Sequence, residues 1–200
     1  SRGWRRSVLE FKAESHEYYL HGLKIPSVTQ VLSEMGMIPQ YPEKEMYRKR
    51  GDAVHRACAL LVQDRLDINK TDPRISGYIH SFDKFVKQYG VSVKLIEHKV
   101  FSERWRVAGT LDYLASIDGS DVILDLKSGE PADAAAIQTA AYSELLKEKD
   151  GIAVSRRIAV RLNSDGSIGT PEEYKDLNRD VRIFLSAVSL YHWRAERGLL

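Results

Sequence analysis

Cysteine is almost missing from this 200-residue chain: Cys58 stands alone. One thiol cannot close an intramolecular disulfide, and it cannot furnish a zinc knuckle or a four-cysteine iron–sulfur cluster. A reducing, cytoplasmic setting is the expectation. Long apolar runs are missing too. Stretches such as Val122-Ile123-Leu124 fall far short of the roughly 18 to 20 residues a membrane-crossing helix needs, and no charged-then-apolar leader is expected. Charge of one sign is scarce, because 30 Lys and Arg against 28 Asp and Glu leave a net +2. Any contact with a polyanion must then come from local patches rather than a strong overall field. There is no repeat, no low-complexity linker and no glycine-rich phosphate loop followed by Lys and Ser or Thr, which excludes a built-in NTP-driven motor. What remains, 43% hydrophobic and 29% charged residues, reads as one globular domain over residues 1–200.

The apolar pattern changes period along the chain. Val8–Phe11 and Tyr18–Leu20 are strand-like and the second runs into His21-Gly22, so a small hairpin is expected over residues 7–25. Ser27 suits an N-cap, Gln30 holds the capping-box position and Val28, Val31 and Leu32 form one stripe, predicting a short helix that ends near Gly36. Helical spacing returns over Glu43–Leu66 and Pro73–Tyr89, with Gly90 as a terminator. From Val91 the period becomes strand-like over 93–101, 107–117 and 121–127, suggesting three consecutive antiparallel strands. A helix over Ala132–Lys149, a strand over Arg157–Leu162 and a helix over Pro171–Arg197 complete the reading.

The segment Gly109–Lys127 carries the most information. If Gly119-Ser120 forms a two-residue Gly-X turn, Asp118 pairs with Asp121, Leu114 with Asp125 and Asp112 with Lys127. Opposed residues point the same way, so Asp112, Asp125 and Lys127 share one face. The other face, with Leu111, Tyr113, Ala115, Ile117, Val122, Leu124 and Leu126, is almost wholly apolar and is read as the core side. Two carboxylates from neighbouring strands supply hard oxygen ligands for Mg²⁺ or Mn²⁺, and such ions neutralise charge that builds on a phosphate under attack by water. Lys127 is placed to orient that water, help deprotonate it or stabilise the transition state; the sequence leaves these open. The bland alternative is a solvated strand face with a cross-strand ion pair worth about 0.2–1 kcal/mol.

In order along the chain, Gly51-x-x-x-His55, Gly109-x-x-Asp112, Asp125-x-Lys127 and Gln138-x-x-x-Tyr142 resemble the motifs of the PD-(D/E)XK nuclease superfamily, particularly its RecB-like and phage-type exonuclease branch. The resemblance implies an α/β (α+β), restriction-endonuclease-like fold: a central mixed sheet flanked by helices. Residues 1–90 would form an N-terminal elaboration carrying His55, residues 91–165 the catalytic sheet and helix, and residues 171–197 a C-terminal helix. It further implies His55, Asp112, Asp125 and the Leu126 backbone carbonyl around Mg²⁺ or Mn²⁺, with Glu97 as a further ligand. Lys127 would be the catalytic lysine, and Gln138 and Tyr142 would approach the phosphate. A nitrogen ligand tilts the preference toward Mn²⁺. The implied activity is exonucleolytic cleavage of DNA ends in repair, recombination or phage replication, with a homo-oligomer or a recombination protein as partner. Some members carry an iron–sulfur cluster, which this chain cannot build.

Other features have two readings each. Arg48-Lys49-Arg50 either leads phosphates toward His55 or forms a solvated helix face. Arg104-Trp105-Arg106 either simply turns the chain between the first two sheet strands or offers stacking and cationic groups for unpaired bases, and the terminal Arg2, Trp4, Arg5 and Arg6 either fray or do likewise. Phe184, Leu185, Val188, Leu190, Tyr191 and Trp193 give the last helix a core-covering face or an oligomer contact. Two other functions compete with the nuclease: a catalytically silent module of the same fold that binds nucleic acid or protein, and a glycosidase using Asp112 and Asp125, which leaves Lys127 and His55 without roles.

Overall fold

The computed structural model describes residues 8–39, 44–129 and 133–200; the cationic and aromatic residues Arg2 to Arg6 lie outside them. The chain opens with an antiparallel sheet of β1 (Leu9–Lys12), β2 (Glu17–Leu20) and β3 (Leu23–Ile25). The predicted hairpin thus has a third strand. His21 and Gly22 both have positive φ, 50° and 82°, which lets a tight turn return the chain. Helix α1 (Val28–Glu34) starts where expected, with the Gln30 amide donating to Ser27 Oγ at 3.0 Å.

Helix α2 (Lys44–Leu61) stops five residues before the expected Leu66. Asp64 takes a left-handed backbone, φ 55°, while the Arg65 and Asp64 amides donate to the Leu60 and Leu61 carbonyls. This is a left-handed helix cap formed on Asp instead of the usual Gly, so composition gave no stop signal. A 3₁₀ turn over Ile68–Lys70 leads to α3 (Pro73–Gln88), capped by Asp72 and started by Pro73.

The central sheet contains β4 (Ser92–Ser102), β5 (Val107–Ile117), β6 (Ser120–Lys127), β7 (Arg156–Arg161) and β8 (Thr170–Tyr174), in that spatial order. All pairs are antiparallel except β6–β7, which are parallel and joined through α4 (Ala134–Asp150). Helix α5 (Leu177–Ala195) follows β8. Residues 171–174 were expected to open the final helix and instead extend the sheet. Pro171 lies on an edge strand, where its missing N–H is tolerated, and the true helix cap is Asp176, which accepts from the Arg179 amide at 3.0 Å.

Both sheet faces are covered. One packs Val28, Leu32, Leu114, Ile123, Leu145, Phe184 and Val188 among α1, α4 and α5. The other packs Val54, Ile79, Phe82, Tyr113, Val122, Leu124 and Ile158 against α2 and α3. The expected single core face is therefore two, and Leu111 belongs to the first cluster rather than beside Tyr113. The result is an α/β fold with a central mixed sheet flanked by helices and an N-terminal elaboration. Among the described residues no helix is long and apolar enough to cross a membrane.

The β5–β6 turn differs from expectation by one step. Asp118 and Gly119, with φ 51° and 75°, form the two-residue loop, so Ile117 pairs with Ser120, Ser116 with Asp121 and Tyr113 with Leu124. Asp-Gly accommodates the double positive φ of the favoured hairpin turn better than Gly-Ser does. The pairing slips by two residues, a full period of alternation, and the same register continued past Tyr113 and Leu124 brings Asp112 toward Asp125 instead of Lys127.

Candidate active site

The ladder between β5 and β6 ends at Tyr113–Leu124. Beyond it the Leu126 amide donates to Asp112 Oδ2 at 2.7 Å, while Asp112 Oδ1 lies 3.1 Å from His55 Nδ1 on α2. The Asp112 carboxylate thus ties the strand pair to the helix. Alongside it, Asp125 is 3% exposed and its Oδ2 lies 2.7 Å from Lys127 Nζ. Lys127 Nζ also donates to Gln138 Oε1 at 2.9 Å, and Gln138 Nε2 donates to Tyr142 OH at 3.0 Å, both from α4. His55, Asp112, Asp125, Leu126, Lys127, Gln138 and Tyr142 all line one cleft of about 990 Å³.

One glycine permits this closeness. A Cβ on Gly109 would lie 2.8 Å from the Tyr142 ring and 3.2 Å from Val28, so the bare strand lets the aromatic ring lie against it. Gly51 faces Ser128, with its would-be Cβ 3.8 Å from Ser128 Oγ. Next to it, Arg50 Nη2 donates to the Ser128 carbonyl at 2.9 Å and draws α2 to the end of β6.

The charges in this buried group are interdependent. Burial works against charge on His55, but the Asp112 carboxylate, with help from Asp125, outweighs it and lifts its pKa to about 9. Burial likewise opposes charge on Asp112, which His55, the Leu126 amide and Lys127 overcome, holding its carboxyl below the usual value. Burial and the nearby Asp112 push Asp125 upward against the pull of Lys127. Lys127 is desolvated too, but Asp125 keeps its pKa above the ordinary lysine value. Two carboxylates facing two basic groups therefore make a set that is balanced in charge.

The donor chemistry suits a hard or borderline divalent cation, with carboxylate oxygens and one imidazole. His55 Nδ1 and Asp112 Oδ1 are separated by 3.1 Å, close to the roughly 3 Å between adjacent ligands on an octahedral ion with bonds near 2.1 Å. Among the described residues, however, no group of three or more His, Cys, Asp and Glu side chains is arranged to hold an ion. Asp125 is engaged by Lys127, so ion binding would require it to turn from that amine.

Glu97 does not join the cleft. It is exposed on β4 with a left-handed backbone, φ 45°. Trp105 is likewise elsewhere: it packs against the core, and its carbonyl lies 2.9 Å from His192 Nε2. The basic run divides, with Arg48 paired to Glu45 and Asp52, Lys49 to Glu45, and Arg50 turned to Ser128. Tyr18, Thr110, Gln30 and Tyr47 line the cleft; sequence reasoning missed them as site residues, since only tertiary packing brings β2, α1 and the start of α2 to this place.

No family model and no curated protein sequence matches the chain. Solved structures do. A candidate exonuclease from Eubacterium rectale, solved at 2.19 Å, superposes with a TM-score of 0.54 at 10% identity, covering 88% of this chain and 82% of that one. A second, SSO0001, covers 82% of this chain and 84% of its own at 12% identity, with a TM-score of 0.34 that carries no argument. At such identities the likeness is one of fold: the chain has the architecture of a protein named as an exonuclease.

Proposed function

We propose that this chain is a divalent-metal-dependent nuclease of the PD-(D/E)XK superfamily that hydrolyses phosphodiester bonds at DNA ends. The observation that carries the reading is the clustering of His55, Asp112, Asp125, Lys127, Gln138 and Tyr142 along one cleft, in the motif order read from the sequence. Asp112, Asp125, His55 and the Leu126 carbonyl would hold Mg²⁺ or Mn²⁺. When bound, the ion supplies Lewis acidity toward a phosphoryl oxygen and a more acidic water. The chain supplies the rest. Lys127 presents its amine where charge develops on the phosphate, Gln138 fixes that amine, and Tyr142 fixes the Gln138 amide. The near-complete burial of Asp125 keeps water from it and strengthens its contact with the partly exposed Lys127.

Asp125→Ala and Lys127→Ala should each reduce cleavage of end-labelled linear DNA in Mn²⁺ or Mg²⁺ by at least about 100-fold, the scale of losing one charge-stabilising group. EDTA should silence the parent protein, and closed circular DNA should survive if cleavage begins at ends. Parental rates in both variants would remove the mechanism. One observation favours a second reading, a catalytically silent module of the same fold: each carboxylate lies beside a basic group, and no three-side-chain ion site is arranged among the described residues. Calorimetric titration with Mn²⁺ separates the two, since a silent module takes up no ion. Gel filtration with and without DNA tests for assembly with a second copy.

A further inference from the structure

Among the described residues, Arg50 stands out in the cleft as a cation that the proposed chemistry does not use. Among the lining residues, Arg48 is neutralised by Glu45 and Asp52, and Lys127 by Asp125. Arg50 has no carboxylate partner among the described residues. Its guanidinium rests 5.2 Å from the Tyr47 ring and 5.3 Å from the Tyr78 ring, contacts that orient the group without cancelling its charge. Among the described residues its acceptor is the Ser128 carbonyl, bonded through Nη2, and an arginine with spare donors beside a cleft is suited to a phosphate. Tyr47 also lines the cleft and is 41% exposed, a large aromatic surface with no core to cover.

From this pairing we propose that Arg50 and Tyr47 form a subsite for an unpaired nucleotide beside the reacting position, Arg50 taking a backbone phosphate and Tyr47 stacking on its base. The proposal rests on the nuclease reading for the neighbouring chemistry, but its binding step does not require cleavage. The exposed Tyr47 ring favours a single strand, whose bases are free to stack on it, over a duplex, whose bases already stack on one another. Base–aromatic stacking and a phosphate contact are the two elements of sequence-tolerant single-strand binding.

The test is fluorescence-anisotropy titration of the full chain in EDTA, with a labelled 12-nucleotide single strand, its duplex, an abasic strand of equal length and the matching RNA strand. The parent should bind the single strand more tightly than the duplex. Tyr47→Ala should weaken binding of the base-bearing strand at least about fivefold while leaving the abasic strand nearly unaffected. Arg50→Gln should lower the slope of log affinity against log salt by about 0.7, the contribution of one phosphate contact on a single strand, and Arg50→Lys should restore it. A merely structural arginine would change affinity with the slope intact. Tighter RNA than DNA binding would assign the strand as RNA and leave the subsite standing. Equal effects of Tyr47→Ala on base-bearing and abasic strands, an unchanged slope in Arg50→Gln, or a preference for duplex would each overturn the proposal. Binding with this pattern by a protein that never cleaves would sink the nuclease reading alone.

Discussion

Gly109→Ala adds one methyl group at a point where the fold has no room, and the displacement it forces runs directly into the candidate site. The new Cβ would lie 2.8 Å from Tyr142 Cε1, against an ordinary carbon contact near 3.5–4.0 Å, so the ring has to move by roughly 0.7 Å or more. Val28 at 3.2 Å on the same patch limits retreat of the strand. Overpacking of this kind costs about 1–3 kcal/mol, while loss of glycine's freedom in the unfolded chain returns about 0.5. The net expectation is a destabilisation of about 1–2 kcal/mol. Activity should suffer more. The Tyr142 OH is 3.0 Å from Gln138 Nε2, so a shift of about 0.7 Å stretches the contact beyond hydrogen-bond range and releases the amide that holds Lys127. Misplacement on this scale costs up to about 100-fold in rate. Urea unfolding gives the first quantity and cleavage of linear DNA in Mn²⁺ the second. Tyr142→Leu removes the clashing ring, so the double variant should be more stable than the sum of the singles by about 1 kcal/mol. Strict additivity, together with parental stability in Gly109→Ala, would refute the argument.

Gly77→Ala should invert the usual rule for helices: a solvent-exposed site would gain about 1 kcal/mol, but here the Cβ would lie 1.8 Å from the Ser164 carbonyl oxygen. A lower Tm by thermal unfolding is expected, and a raised one would show that the 163–166 loop yields freely. Arg157→Met leaves the buried Asp180 carboxylate without its 2.9 Å partner and frees the Ala136 carbonyl, which should cost about 3–5 kcal/mol. Arg157→Met combined with Asp180→Leu should recover most of this in urea titrations. Asp72→Ala removes the cap of α3, whose carboxyl is held at about 2, from 3.8, by the Arg74 side chain and amide. The folded-state pKa is depressed, so its stabilisation is complete above pH 4 and lost as pH falls toward 2. The Tm gap between parent and variant should close over that window.

Much of the fold was legible because its elements announce themselves locally. Ser27, Asp72-Pro73 and the alternation over 107–117 each act within a few residues, and the structure places α1, α3 and β5 accordingly. The failures come from nonlocal causes. Residues 170–174 carry no strand pattern beyond Pro171-Glu172-Glu173-Tyr174 and become β8 because β7 offers an unpaired edge. Glu97 has an acidic side chain on the strand beside β5 but takes a left-handed backbone and does not line the cleft, and alternation rules do not foresee such breaks.

The grouping of Asp112, Asp125 and Lys127 does not depend on which two residues form the β5–β6 turn, for a reason built into sheets. Taking Gly119-Ser120 as the turn instead of Asp118-Gly119 displaces the pairing by two residues, one full period of side-chain alternation. Asp112, Asp125 and Lys127 stayed together under either register; an odd displacement would have put Asp112 on the opposite face from the other two. What the slip did change is which groups meet. With Asp112 across from Asp125, two carboxylates must share a buried space, and each recruits its own base: His55 from α2 for one, Lys127 for the other. On the proposed nuclease reading, the same opposition would favour a divalent cation, whose double charge would offset both carboxylates and leave Lys127 free to face a phosphate.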